Sequence, residues 1–157
     1  MLICGELARA RPDLAEAGRG LLYQYAGIGL WFLATVGKSG APRLHPFCPA
    51  IAGETLYAFI VPSPKLNDLL RDGRCALHSD LTPVNEDAFY LTGRIRVVTG
   101  ANERAAIAEA YGAERSDFDV TQLEDQTAVE FLIATCPLTR RTRHAAFDPQ
   151  HTVFHAP

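Results

Sequence analysis

The period of the apolar positions changes several times along this chain, and each change predicts an element. Leu14, Ala17, Leu21, Leu22 and Tyr25 recur at helical spacing between Asp13 and Gly27, which predicts an amphipathic N-terminal helix that starts near the aspartate and stops near the glycine. Such a helix needs a surface to pack on. Beyond it the period shortens to that of strands. Residues 30–36 read as a strand, Lys38-Ser39-Gly40 as a hairpin turn and residues 42–51 as the returning strand, because apolar runs flank a turn tripeptide ending in glycine. A second turn at Gly53-Glu54 leads into a strand over residues 56–61.

Residues 75–79 form a short apolar strand, and Phe89, Leu91, Gly93, Ile95 and Val97 alternate with Tyr90, Thr92, Arg94 and Arg96, the pattern of a long strand with one wet face. Asn102 is placed to cap a helix in which Ile107, Ala110 and Tyr111 share a face and which Gly112 ends, since asparagine serves at N-caps and glycine at C-termini. Residues 127–136 return to strand character, and Pro137, with no N–H for a ladder, puts that strand at a sheet edge or a bulge. Six or seven antiparallel strands joined by tight turns and interrupted by two or three helices fit a closed or nearly closed barrel better than a βαβ sheet. The expected class is mostly β with peripheral helices (α+β). A single domain over residues 1–157 is expected, because no repeat, low-complexity stretch or linker divides the chain.

Charge and composition remove several functions. With 15 basic and 18 acidic side chains the net charge is −3, so bulk electrostatics gives nucleic acid no reason to bind. Hydrophobic residues at 48% and charged ones at 21% exclude intrinsic disorder. The longest apolar run, residues 28–36 with Gly29 inside it, is far short of the roughly 20 residues of a membrane-spanning helix. The first dozen residues carry Glu6, Arg9 and Arg11 among small side chains, without the apolar core of a secretory signal, so a cytoplasmic protein without membrane partners is expected. Cys4, Cys48, Cys75 and Cys136 are widely spaced, which supports neither a zinc site nor a disulfide framework.

The chemistry concentrates in residues 63–73, where each position has a local reason to build a short helix. Ser63 is an N-cap, Pro64 sits at N1, Leu66, Leu69 and Leu70 make an apolar face, and Gly73 supplies the stop, following the usual asymmetry of helix ends. The start of this helix offers free backbone N–H groups and the positive dipole end, with the Ser63 hydroxyl and the Lys65 ammonium in the same turn, which together suit a phosphate. On the strand before it, Arg43, His45 and Phe47 share one face while Leu44, Pro46 and Cys48 share the other, by the two-residue period of strands. Arg43 suits bidentate phosphate binding, His45 suits a ring edge or hydroxyl, and Phe47 suits apolar contact.

Taken in order, the segments LATV, GKSGAPR, RLHPF, LYAFIV, SPKLNDLLRDGRCALH and EDAFYLTGRIRVV resemble those of the pyridoxamine 5′-phosphate oxidase-like FMN-binding split barrels, over roughly residues 30–111; the specificity lies in the ordered combination. The resemblance implies an antiparallel split β-barrel and an FMN-dependent oxidoreductase with a small-molecule substrate. It also implies a homodimer with the cofactor at the subunit interface. Carried onto this chain, it implies that Arg43, Leu44, His45 and Pro46 line the flavin, with Arg43 also near its phosphate. By the same resemblance Ile60 and Val61 would contact the cofactor by backbone or side chain, and Ser63 and Lys65 would hold the phosphate. The resemblance further implies that Thr139, Arg140 and Arg141 reach the partner's site. Two departures argue against oxidation of vitamin B6 phosphates: Ala88 stands where those oxidases carry a flavin-binding glutamine, and Arg141-Thr142-Arg143-His144 lacks the spacing of their Arg-x-His substrate motif. Within the same fold, a deazaflavin cofactor is an alternative to FMN. A non-catalytic flavin- or haem-binding module is another, with His45, His78, His144 or a tail histidine as iron ligand.

Other constellations carry less. His151 and His155 share a face in an extended tail without a third ligand, so no metal is expected. Arg140, Arg141 and Arg143 read as a solvated or interface-edge cluster. Glu109, Glu114, Asp117, Asp119, Glu124 and Asp125 read as surface charges, and no strained nucleophile elbow surrounds Ser39, Ser63, Ser79 or Ser116, leaving hydrolase chemistry without support.

Overall fold

The computed structural model describes residues 1–25, 27–115, 119–142 and 147–157. In chain order the elements are α1 (Cys4–Ala10), α2 (Pro12–Leu22), β1 (Trp31–Val36), β2 (Pro42–Phe47), β3 (Ala50–Ala52), β4 (Thr55–Ile60), α3 (Pro64–Asp72), β5 (Arg74–Ser79), β6 (Ala88–Val97), α4 (Ala101–Glu114), a 3-10 turn (Val120–Leu123), β7 (Thr127–Arg140) and β8 (Gln150–His155). The strands form one sheet in the order β2-β1-β5-β6-β7-β4-β3, with β8 also on β7. Every pairing is antiparallel. The two edges of that order, β2 and β3, are separated in the chain only by Cys48 and Pro49, so the backbone itself carries the sheet round into the expected barrel. The fold is a mostly antiparallel split β-barrel with peripheral helices.

The barrel interior is apolar. Trp31, Leu33, Phe47, Phe89, Phe131 and Ile133 belong to one buried cluster, and Phe47 meets Phe131 edge to face at 5.6 Å. Helices α1 and α2 add Leu7, Leu14, Leu21 and Leu22 to it, and α3 adds Leu66 and Leu69. Helix α4 covers part of the outside, where Ile107 and Tyr111 pack with Tyr57 and Phe59 of β4. Strand β4 is therefore buried on both faces: Leu56, Ala58 and Ile60 point into the barrel while Tyr57 and Phe59 point under α4, as its unbroken apolar run requires.

Several boundaries differ from expectation for identifiable reasons. The N-terminal segment is two helices broken at Arg11, and the second ends at Leu22, where the Leu30 amide returns to the Leu22 carbonyl at 3.2 Å. The strand expected over residues 42–51 is interrupted at Cys48-Pro49. Asn102 lies inside α4, whose N-cap is Gly100; Gly112 does not end that helix but leaves room for Val120, whose Cγ1 would sit 2.7 Å from an added Cβ. In α3 the buried positions are Leu66, Asp68 and Leu69, and Leu70 is 54% exposed. Pro137 lies neither at an edge nor at the bulge. It faces Val153 of β8 within a gap in the β6–β7 ladder between Thr92–Thr135 and Phe89–Leu138, and the register shift falls instead at Thr92/Gly93. The extended tail is a paired strand, β8. Ser116, Asp117, Arg143 and His144 lie outside the described residues.

Candidate functional site at the seam of the barrel

The site begins with a ladder that stops. Strands β3 and β4 pair Ala50 with Tyr57, Ile51 with Leu56 and Ala52 with Thr55. The same register carried on would set Phe47 against Ile60, Pro46 against Val61 and Leu44 against Ser63, yet no pair forms beyond Ala50. Pro49 has no N–H to extend it. Among the described residues, strand β2 consequently has a strand partner on one side only. The barrel is split there, and its two lips are residues 43–46 and residues 60–65, the two segments that the sequence singles out.

One lip continues directly into α3. Ser63 is its N-cap, with extended backbone and with its Oγ accepting from the Leu66 amide at 3.4 Å. The same hydroxyl donates to the Val61 carbonyl at 2.8 Å, so its hydrogen already serves the turn. Pro64 occupies the first helical position, and Gly73 ends the helix at φ +78°, a left-handed conformation that glycine adopts without strain. Lys65 lies in the first turn, half-buried.

The other lip reaches α3 through charge. Thr35 faces Arg43 in the β1–β2 register, and both side chains reach Asp68: Thr35 Oγ1 donates to Oδ2 at 3.1 Å and Arg43 Nε to the same oxygen at 2.9 Å. Arg71 Nη1 donates to Oδ1 at 3.1 Å, and Arg71 Nη2 donates to the Val36 carbonyl. Burial opposes the charge on Asp68, but hydrogen bonds from Arg71, Thr35 and Arg43 outweigh it and hold the carboxyl below its ordinary value, the usual result for a multiply bonded carboxylate.

His45 feels both nearby cations. Burial, then Lys65, then Arg43 lower its pKa below the ordinary 6.5, which leaves a neutral imidazole at neutral pH. Its Nε2 is buried without a hydrogen-bond partner among the described residues; the other such side-chain nitrogen, Trp31 Nε1, is inside the barrel core. Orphaned buried polar atoms are uncommon enough to need an explanation.

The remaining expected residues divide by face. Leu44 is 64% exposed and Pro46 is also exposed, both on the strand face opposite Arg43 and His45. Ile60 is 2% exposed inside the barrel, whereas Val61 is 49% exposed, so only Val61 has a side chain available at the lip. Thr139, Arg140 and Arg141 are not part of this seam within one chain: Thr139 bonds His151 at 2.9 Å, and the arginines approach Asp87 and Glu86 at 3.9 and 3.4 Å. His78 stacks on Tyr90, and among the described residues no group of three ligating side chains is arranged to hold a metal. Sequence reasoning does not find Asp68, because a helix aspartate three residues before an arginine looks like an ordinary solvated pair.

No protein-family model matches the sequence, and no curated protein matches it. Solved structures do. A NimC/NimA family protein from Clostridium acetobutylicum is 15% identical with a TM-score of 0.61, covering 91% of this chain and 93% of that one. A protein from the same organism related to general stress protein 26 of B. subtilis, of the pyridoxinephosphate oxidase family, is 13% identical with a TM-score of 0.59, covering 96% and 95%. A heme binding protein from Mycobacterium smegmatis is 17% identical with a TM-score of 0.62, covering 90% of this chain and 58% of that one. At such identities the likeness is one of architecture, and the chain has the split-barrel fold that these proteins share.

Proposed function

We propose that this chain is an FMN-dependent oxidoreductase acting on a small molecule, with the flavin phosphate at the amino end of α3 and the ring along the seam. The observation that carries this reading is the orphaned His45 Nε2 flanked by Arg43 and Lys65 on facing lips of the split. Bound FMN would supply the ring that accepts and returns electrons. The Lys65 ammonium and backbone N–H, at the positive end of the α3 dipole, neutralise the phosphate; Pro64 has no N–H, and the Leu66 amide is held by Ser63 Oγ. Arg43 keeps its terminal amino groups for the same anion while Nε is held by Asp68. His45, neutral, offers Nε2 to a hydroxyl or a ring edge. Val61 gives apolar contact, Ile60 contributes backbone only, and Ser63 keeps the turn in shape. Leu44 and Pro46 approach from the outer face of β2.

That outer face also supports a homodimer with the cofactor at the subunit interface. The β-register lines up Pro46, Phe32, His78 and Tyr90 across β2, β1, β5 and β6, and Pro46, His78 and Tyr90 are exposed. Such an apolar and aromatic row favours association. Thr139, Arg140 and Arg141 then belong to the partner's seam. Light scattering at micromolar concentration is expected to give a dimer, and a monomer would remove the shared site.

A second reading is a haem-binding module, favoured by the neutral imidazole of His45 and by the fold shared with a heme binding protein. A visible spectrum of the purified protein, then titration of the stripped protein with FMN, riboflavin and haem, separates the two. Flavin bands and saturable FMN binding tighter than riboflavin are expected; a Soret band without flavin would establish the haem reading instead. NMR gives an independent check. The His45 ring is expected to titrate below pH 6.5 in the free protein and to move upward with FMN, because a bound dianion favours the imidazolium. Riboflavin should move it little.

A further inference from the structure

We propose that Asp68 is the positioning residue of this anion site: its buried carboxylate fixes the Arg43 guanidinium through Nε and leaves the terminal amino edge free for a phosphate. The inference rests on the flavin-phosphate reading above. Asp68 is only 4% exposed, on the helix face that otherwise packs Leu66 and Leu69 into the core. A buried carboxylate is costly unless paired and fully bonded. Here its donors come from three elements, Thr35 of β1, Arg43 of β2 and Arg71 of α3.

The two arginines differ in what remains to them. Arg71 spends a second amino group on the Val36 carbonyl and so straps α3 to β1. Arg43 is bonded through Nε alone among the described residues, and its side chain is 44% exposed. Two guanidinium groups share one carboxylate, so the cluster keeps a positive charge; both arginines are partly exposed, and Arg43 is the one whose terminal amino groups are unbonded among the described residues. Anchoring a long side chain before the ligand arrives removes an ordering cost from binding.

The test is a double-mutant cycle on stripped full-length protein, titrated with FMN and with riboflavin. Asp68→Asn is expected to weaken FMN binding about tenfold, to leave riboflavin unchanged, and to add nothing in an Arg43→Ala background. Equal losses for both flavins, or a loss that persists undiminished without Arg43, would make Asp68 merely structural and overturn the proposal. A wild type that prefers FMN together with an Asp68→Asn variant that keeps the preference overturns it too, leaving the flavin reading intact. A wild type with no preference for FMN overturns both. Should the asparagine variant not fold, the Arg43 Nε–H resonance of the wild type decides. Protection from solvent exchange before and after FMN addition supports the anchor, and rapid exchange in the free protein refutes it.

Discussion

Replacing Lys65 by alanine is expected to weaken FMN binding by about 1.5–3 kcal/mol, the range of a hydrogen bond to a charged group, or roughly one to two decades in affinity. Riboflavin, which lacks the phosphate, should bind the variant and the wild type equally. Folding stability should change little. Lys65 sits in the first turn of α3, where the helix dipole mildly disfavours a cation unless an anion is bound. An internal control comes from His45, whose pKa is lowered partly by Lys65: removing the ammonium should let the imidazole titrate at higher pH even without flavin. FMN and riboflavin affinities that both stay within error of wild type would show a solvated surface lysine, and the Ser63-Pro64-Lys65 assignment would have to be given up.

The largest expected loss of stability is at Gly93. A Cβ on this residue would lie 1.8 Å from the Leu132 carbonyl oxygen, 2.9 Å from its carbon and 3.3 Å from the Ile133 Cα. All three are backbone atoms, so no side chain can turn aside. The contact sits at the β6–β7 register shift, on the strand whose other edge serves β4, Leu2 and β8 in succession. Forcing that backbone apart strains several ladders at once. Gly93→Ala is therefore expected to cost on the order of 3 kcal/mol or more, at the upper end of overpacking effects, as measured by denaturant unfolding. A change under about 0.5 kcal/mol, the size of an ordinary surface substitution, would mean that β6 and β7 do not approach as closely as described.

Parts of this fold are decided within short stretches of chain, and those parts are legible in the order of the residues. Ser63, Pro64 and Gly73 delimit α3 correctly because caps and stops act within one turn, and the alternation from Phe89 to Val97 yields β6 because a half-buried strand writes its period into its side chains. The hairpin of β1 and β2 follows from its turn, and the facing of Arg43 and His45 from the two-residue period. The remainder rests on contacts between segments far apart in the chain. That Pro137 lies between two strands depends on β8, which returns from ten residues beyond β7. That Leu70 is exposed while Asp68 is buried depends on the angle at which α3 meets β1, where Thr35 and Arg43 wait for a carboxylate. The seam itself is a pairing that fails to form, between strands whose neighbours in the chain do pair. A missing ladder leaves no mark on local propensity, because hydrogen bonds between distant segments are settled by the closure of the whole sheet and not by either strand.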